Sequence, residues 1–401
     1  MAWAIGANDV ANAMGTSVGS GALTITGAVL VAGVLEFAGA FLAGGHVTDT
    51  VRKGMLDLEI AEANPELVMY GMLAALASAG TLLLVATRYG LPVSTTHSIV
   101  GAIVGFGAVG LGAGAVNWPK VLEIVASWVT SPLIGGVLAF MIFNLLRAQV
   151  LDRMNPIERL ERLGPMFFFY VFFIIGLVTL FKGLKNLSLD YDLPTAVGLS
   201  LVVGAAGSFI GWIVIRRAAK RARGAADSDH YRHVERVFVV LQILTACAVA
   251  FAHGSNDVAN SIGPLAAVHS IATTGAFAKT AAVEPWMLAV GGFGIVVCLA
   301  TWGYRVMETV GKKITELTPS RGFAAELAAA TTIVLASRMG IPVSTTHILV
   351  GSVLGVGLAR GIGALDLRVV GSIAVSWVAT LPIAAAMSVF FFYFFKGLLG
   401  S

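Results

Sequence analysis

The sequence has little charge, little cysteine and no Walker A motif of an ATP-driven protein. Only 12% of its 401 residues are charged and 57% are hydrophobic, whereas about a quarter are charged in soluble domains. No Walker A motif and no Cys/His metal cluster occurs, which argues against an ATP-driven pump or a metal-dependent hydrolase. Cys247 and Cys298 lie in apolar runs, so no disulfide framework is expected. The low charge excludes a soluble protein.

Long apolar segments make up most of the chain instead. A transmembrane helix needs about 20 mostly apolar residues, and about twelve apolar segments follow one another between charged or Gly/Pro breaks. Some of them are short or interrupted, notably those that hold 6–21, 92–97, 254–264 and 342–347. The sequence therefore predicts an all-α polytopic membrane protein of about 12 transmembrane segments, with broken or re-entrant helices.

Two motifs occur twice. Residues 6–15 return as 254–263 with seven of ten identical, and residues 90–97 return as 340–347 with seven of eight identical. The offsets are 248 and 250 residues, so the register holds over half the chain. The chain is therefore predicted to contain two related halves.

Loop charge orients these halves. The segment 216–236 carries seven Arg and Lys residues, and basic loops are typical of the cytoplasmic side. Counting spans from that loop puts the halves in opposite orientation and both chain termini on the extracellular or periplasmic side of a multi-pass cell-membrane protein. We therefore expect a first inverted repeat at 1–147, a second at 237–401, and between them a linker at 148–236 with two unpaired transmembrane helices and the basic cytoplasmic loop. Inverted repeats are typical of secondary transporters, whose site lies at the midplane.

Two acids, Asp9 and Asp257, lie where the bilayer is predicted to be, and such an acid is costly unless it is paired, hydrated or bound to an ion. Each is preceded by Asn and followed three residues later by Asn, so carboxylate and amide oxygens share one helix face. Hard oxygen donors suit a hard cation such as Na⁺; the alternative is that these residues cap broken helices. The predicted cation ligands are Asn8, Asp9, Asn12, Asn256, Asp257 and Asn260.

The two Pro-Val-Ser-Thr-Thr-His segments are predicted helix starts, because Pro92 and Pro342 suit a first turn and the hydroxyls after them can satisfy free amides. Free amides, the positive end of a helix dipole and hydroxyl groups together form an oxyanion site that needs no lysine. A tetrahedral oxyanion fits this cage; the alternative is ordinary helix capping. The predicted anion ligands are Ser94, Thr95, Thr96, Ser344, Thr345 and Thr346.

Further polar residues are candidates for coupling or gating. His97 and His347 can donate to the anion, sense protons or hydrogen-bond across helices, and the sequence leaves these alternatives open. Glu36 and Glu284 stand 248 residues apart in apolar stretches. They are candidates for cation ligands, for gating carboxylates or for groups that link helices by a hydrogen bond. Glu326 has no partner in the repeat and is a weaker candidate.

The duplicated Asn-Asp and Pro-Val-Ser-Thr-Thr-His motifs resemble the signatures of the PiT family of inorganic phosphate transporters, over nearly the whole chain. The resemblance implies phosphate symport driven by a cation gradient. It also implies that the two aspartates and the glutamates matching Glu36 and Glu284 are functionally important, and that the Ser-Thr-Thr segments form the phosphate site. The Asn8-Asp9 pair and the Val after Pro look more like the sodium-coupled members than the proton-coupled ones.

This resemblance sets the expected partners. We expect a transporter rather than an enzyme, with inorganic phosphate and Na⁺ as transported ions, membrane lipids around it, no cofactor, no nucleic-acid partner and a homodimeric assembly. A proton-coupled carrier, for phosphate or for sulfate, stays open as an alternative, and a passive anion channel is a more remote one. A membrane-embedded phosphotransfer enzyme would need a nucleophile–base pair or metal cluster, for which the sequence makes only a weak case.

Overall fold

The computed structural model describes residues 1–44, 55–180, 191–222, 230–277, 283–338 and 343–400, and these residues are mainly helical. Short π-helical or 3₁₀ turns follow several of the helices. Within the described ranges the α-helices are α1 (Ala2–Gly19), α2 (Ile25–Ala43), α3 (Leu58–Ala63), α4 (Pro65–Arg88), α5 (Thr95–Phe106), α6 (Trp118–Leu146), α7 (Pro156–Val178), α8 (Leu193–Ala222), α9 (His230–Thr274), α10 (Pro285–Trp302), α11 (Tyr304–Glu308), α12 (Pro319–Arg338), α13 (Thr345–Ala359) and α14 (Leu367–Leu399).

Eight of the described helices are long and apolar enough to cross a membrane, namely α2, α4, α6, α7, α8, α9, α10 and α14. This confirms the predicted all-α polytopic class. The short helices α5 and α13 have only 12 and 15 residues. At 1.5 Å per residue, each is shorter than the roughly 30 Å hydrocarbon layer. Each predicted apolar segment therefore contains a helix, but not every one crosses the membrane by itself.

The Asn-Asp motifs lie inside continuous helices, which corrects the prediction that the helices break there. Helix α1 runs unbroken through Asp9, and the 45-residue helix α9 runs through both Asp257 and Pro264. Neither aspartate lies at a helix end, so the capping alternative is wrong. The physical reason is that side chains from neighbouring helices donate to both carboxylates, and no backbone amide has to be released for them.

The two Ser-Thr-Thr segments begin helices as predicted. Ser94 and Ser344 are the N-caps of α5 and α13, and each hydroxyl accepts a hydrogen bond of 3.2 Å from the backbone N–H three residues further on. This is the usual geometry of a serine N-cap. Pro92 precedes the first turn of α5 instead of forming it, and Pro342 lies outside the described residues.

The motif helices pack against α2 and α10 through glycine. A Cβ atom on Gly6 would collide with the backbone of Ile295, and one on Gly254 would collide with the backbone of Glu36. Helix α1 therefore approaches α10 in the way that α9 approaches α2. Because Gly6 and Gly254 hold the same place in the two motifs, the residue that matches Glu36 is Ile295, and the predicted match with Glu284 is wrong.

Helices α7 and α8 come between the two motif-bearing parts of the chain and pack face to face. The rings of Phe168 and Phe172 lie where a side chain on Gly211 or Gly207 would collide with them. The phenylalanine-rich segment of α7 is therefore in part a packing surface, and Phe168 is fully buried. The centre of the predicted basic loop, 223–229, lies outside the described residues.

Candidate functional site

Asp9 is buried among hydroxyl and amide groups from both halves of the chain. Its Oδ2 accepts a hydrogen bond from Thr95, and its Oδ1 accepts from Asn12 Nδ2 at 3.2 Å and from Thr346 Oγ1 at 3.3 Å. Asn12 Nδ2 also lies 2.8 Å from Thr346 Oγ1. The amide oxygen of Asn12 is buried and has no hydrogen-bond partner among the described residues. A carboxylate beside an unpartnered amide oxygen is a donor set that suits a hard cation.

Asp257 has a corresponding setting in α9. Its Oδ2 accepts from Thr345 Oγ1 at 3.2 Å, and its Oδ1 accepts from Asn260 Nδ2 at 3.3 Å and from Asn256 Nδ2 at 3.4 Å. In both halves the first threonine of the short helix thus donates to the aspartate of the same half. Each predicted anion-binding helix start therefore adjoins a predicted cation ligand.

Asn8, a predicted cation ligand, hydrogen-bonds to another segment of the chain. Its Oδ1 accepts from the backbone N–H of Val93 at 3.1 Å, and its Nδ2 donates to the carbonyl of Leu91 at 3.0 Å and to Thr87 Oγ1 at 3.2 Å. The amide is therefore engaged with the segment that leads to Ser94.

A histidine joins the acids into one buried cluster. His253 Nε2 lies 2.6 Å from Asp257 Oδ2 and 3.9 Å from Asp9 Oδ2, and its Nδ1 lies 3.3 Å from Glu36 Oε1. All four side chains are buried. The sequence signal for this histidine is a break in the repeat, because Ile5 stands at the matching position of the first motif. With its acids ionised the cluster is negative even if the imidazole is protonated, because three carboxylates face one base.

The other predicted glutamate is not part of this cluster. Glu36 lies inside α2 with no exposed surface, whereas Glu284 is exposed and precedes α10 as its N-cap, without a side-chain capping bond. Helix α10 begins 260 residues after α2, so an offset of 248 does not align these two helices. The equal spacing of the two glutamates is a coincidence.

The six predicted anion ligands have different surroundings. The two serines serve as caps, and three of the threonines lie on the aspartates. Thr96 is only partly buried, and no hydrogen bond of its side chain is found within the described ranges. The structure thus brings Thr95, Thr345 and Thr346 to the acids and leaves the Thr96 hydroxyl apart from them.

The two predicted histidines stack between tryptophans. The His97 ring lies on Trp128 with a centroid distance of 3.4 Å, the His347 ring lies on Trp377 at 3.7 Å, and the two imidazoles meet edge to face at 4.2 Å. We call these four rings the aromatic column. His347 Nδ1 also lies 3.2 Å from the backbone oxygen of Trp128. Among the three alternatives for the histidines, this arrangement favours contact between helices.

A fourth buried carboxylate lies on α12, outside the cluster around His253. Glu326 accepts hydrogen bonds from Ser17 Oγ at 2.8 Å, from Thr245 Oγ1 at 2.6 Å and from Thr16. Its carboxylate is surrounded by hydroxyl donors from α1 and α9. Glu326 is a weaker candidate from the sequence alone because the acids are chosen by their repetition, and no acid stands at the matching position of the first repeat.

A comparison with protein families identifies the chain. Residues 5–388 match the model of the Phosphate transporter family. The chain belongs to this family. The resemblance to inorganic phosphate transporters is thereby confirmed, and this phosphate transporter is a multi-pass membrane protein and not an enzyme.

Individual relatives and a solved structure agree with this assignment. A protein of Pyrococcus horikoshii, provisionally named a phosphate permease, is 46% identical over 393 residues, which cover 97% of this chain and 93% of that protein. The inorganic phosphate transporter 2-1, chloroplastic, of Arabidopsis thaliana is 44% identical over 423 residues, which cover 100% of this chain and 71% of the relative. A solved structure described as the sodium-dependent phosphate transporter is 43% identical, with a TM-score of 0.87 and coverage of 100% of this chain and 97% of that one.

Proposed function

We propose that this phosphate transporter imports inorganic phosphate by symport with Na⁺. The observation that carries the proposal is the pair of hydroxyl–carboxylate bonds, Thr95 to Asp9 and Thr345 to Asp257. These bonds put a cation-type ligand beside the first residue of each short helix. The similarity to a sodium-dependent phosphate transporter supports Na⁺ as the coupling ion.

The short helices supply the anion-binding groups. The first N–H groups of a helix have no partner within it, and the helix dipole is positive at that end. In α5 and α13 these N–H groups are flanked by serine and threonine hydroxyls from the same segments. Phosphate between the two helix starts would accept hydrogen bonds from both halves, without a lysine or arginine.

The acid cluster explains why a cation is needed. Asp9, Asp257 and Glu36 carry more negative charge than His253 can balance, and charges at this spacing interact strongly in a buried site. An anion at the helix starts is therefore repelled until cations occupy the carboxylates. Na⁺ bound by Asp9 and Asp257, with the unpartnered Asn12 oxygen as a further ligand of the first ion, would raise the affinity for phosphate. By linkage, phosphate would raise the affinity for Na⁺ by the same factor.

Transport itself follows the general scheme for inverted repeats. The two halves, 1–147 and 237–401, would move relative to each other and expose the site alternately on each side of the membrane. The basic segment 216–236 would lie in the cytoplasm and both termini outside it. A homodimer in the lipid bilayer is the assembly that we propose for this cycle.

Proton coupling is the second candidate, and His253 is the observation that favours it. A histidine can gain or lose a proton near neutral pH, and this one lies within 4 Å of three carboxylates. A proton held in the cluster would reduce the negative charge as a cation does. The chemistry of the anion site also leaves sulfate as a competing substrate, because it is a tetrahedral oxyanion too.

Uptake by purified protein in liposomes tests the proposal. Labelled phosphate uptake is compared under an inward Na⁺ gradient, an equal K⁺ gradient and an imposed pH gradient, with labelled sulfate as a competitor. We expect uptake only with Na⁺ and no competition by sulfate. Uptake driven by the pH gradient alone would show that protons and not Na⁺ are the coupling ions. Equal flux under all gradients would indicate a passive channel.

A further inference from the structure

One ring of the aromatic column hydrogen-bonds to the backbone of the segment that leads into the proposed phosphate site. Trp377 Nε1, on α14, donates a hydrogen bond of 3.1 Å to the carbonyl of Pro92, 285 residues earlier in the chain. Pro92 lies two residues before Ser94, the N-cap of α5. The indole of the second half therefore holds the segment that starts the anion-binding helix of the first half.

This segment is held by three helices. Asn8 on α1 bonds the carbonyl of Leu91 and the N–H of Val93, and Thr346 on α13 donates to the carbonyl of Val93 at 3.4 Å. Trp377 takes the remaining carbonyl between them, that of Pro92. These four bonds come from three different helices, so the place of the first anion site depends on all three.

The column fixes the direction in which the Trp377 N–H points. The indole stacks on His347 at 3.7 Å with an angle of 22° between the rings. His347 is itself held by its edge contact with His97 and by the backbone oxygen of Trp128. The N–H is thereby fixed before any ligand binds.

The matching tryptophan lacks this bond. Trp128 stacks on His97 as Trp377 stacks on His347, but its buried Nε1 has no hydrogen-bond partner in the part of the chain that the structure describes. Within the described residues the two tryptophans therefore share a stacking role and differ in whether the indole N–H has an acceptor. This difference separates the effect of the N–H from the effect of the ring.

We propose that Trp377 is a positioning residue for the phosphate site, acting through its N–H on the Pro92 carbonyl, and that Trp128 has no such role. The inference rests on the proposed function, because it assumes that the Ser94 helix start binds phosphate. Trp377 touches no phosphate itself. Its effect is on the geometry of the free site and therefore on affinity.

Matched substitutions test this inference. Trp377→Phe and Trp128→Phe each keep an aromatic ring in the column and remove an indole N–H. We expect Trp377→Phe to raise the phosphate concentration at half-maximal uptake about fivefold, the factor that corresponds to one neutral hydrogen bond of about 1 kcal/mol. The maximal rate should stay within about twofold of the wild-type rate, because the substitution changes the binding of phosphate and not the transport step that follows it. Trp128→Phe should match the wild-type protein in both parameters.

A second pair of variants covers the case in which phenylalanine leaves a packing defect. Benzothienylalanine keeps the bicyclic shape of tryptophan and replaces the N–H by sulfur, and it is placed at 377 or at 128. Equal half-saturation values for the two positions, with either substitution that yields inserted protein, would overturn the inference. Phosphate uptake by the wild-type protein is measured first, so its absence would count against the proposed function and not against Trp377.

Discussion

The two halves of the site share one set of contacts and differ in another. In both, a serine caps a short helix, the next threonine donates to an aspartate, and a histidine stacks on a tryptophan. Only the second half adds an imidazole to its aspartate, where His253 replaces Ile5, and only Thr346 reaches across to the aspartate of the other half. The first half in turn supplies Glu36 where the second has Ile295.

The shared contacts build a site, and the unshared ones make the two proposed cation positions unequal. A symmetric site would hold two equivalent ions with equal affinity. Here the imidazole of His253 lies 2.6 Å from Asp257 and 3.9 Å from Asp9, so the electrostatic environment of a bound ion differs between them. We expect unequal effects from equivalent substitutions, in the order given below.

The largest loss should come from the aspartates. Asp9→Asn or Asp257→Asn keeps the size of the side chain and removes the charge that binds a cation, and removing one partner of a buried ion pair costs about 3–5 kcal/mol. We expect sodium-driven phosphate uptake in liposomes to fall at least about 100-fold in each variant. Glu284→Gln is the matched control and should keep wild-type uptake, because Glu284 is exposed. Sodium-driven uptake at the wild-type rate in both aspartate variants would contradict the assignment.

The carboxylate of α12 should matter for stability. Glu326→Ala removes the acceptor of three buried hydroxyl donors. It leaves two of them, Thr16 and Ser17, unpaired, because Thr245 can still donate to a carbonyl of its own helix. We expect the free energy of unfolding to fall by about 3 kcal/mol, since each buried donor left unpaired costs about 1–3 kcal/mol. The thermal unfolding midpoint in detergent measures it, and Glu326→Gln, which retains one acceptor oxygen, should lose less. An unchanged midpoint for the alanine variant would show that the hydroxyls find other partners.

Replacing Glu36, the glutamate of the acid cluster, should have an intermediate effect on sodium-driven uptake. Glu36→Gln removes one of the three negative charges around His253 while keeping the length of the side chain. We expect the Na⁺ concentration for half-maximal uptake to rise about tenfold, which corresponds to about 1.4 kcal/mol. Ile295→Leu, at the matching place on α10, is the control and should leave Na⁺ dependence unchanged. If Glu36→Gln has the Na⁺ dependence of the control, Glu36 does not contribute to cation binding.

The smallest difference should separate two equivalent threonines. Thr346→Val removes a hydroxyl whose single proton is shared between Asp9 and the Val93 carbonyl. Thr96→Val removes a hydroxyl for which no protein partner is found within the described ranges. We expect a loss of phosphate affinity of about fivefold for Thr346→Val and a smaller one for Thr96→Val, measured by titration with labelled phosphate. Equal losses would restore the symmetric six-hydroxyl cage that the sequence predicts.

The duplicated motifs made much of this site predictable. The pattern Asn-Asp-x-x-Asn, repeated at a fixed offset, marked Asp9 and Asp257, and Pro-Val-Ser-Thr-Thr-His marked the two helix starts that the structure confirms. Composition was enough for the all-α polytopic class. These features are local in the chain, so they can be read from the order of residues.

What could not be predicted depends on contacts between helices. The spacing of 248 residues favoured Glu284, but helix packing decides equivalence and matches Glu36 with Ile295. The amide of Asn8 bonds to the Leu91–Val93 segment, which lies more than 80 residues away in the chain, so the local sequence does not show this contact. The aspartates inside the continuous helices α1 and α9 accept hydrogen bonds from α5 and α13, and no local pattern contains these contacts.

Phosphate binding at fixed salt tests the central claim most directly. The affinity of the detergent-solubilised protein for phosphate is measured by calorimetry in Na⁺ and in K⁺ at equal ionic strength. If cations on Asp9 and Asp257 enable the anion to bind, phosphate should bind at least about tenfold more tightly in Na⁺, and Asp257→Asn should abolish the difference. Equal affinity in the two salts would contradict the link between the acid cluster and the phosphate site.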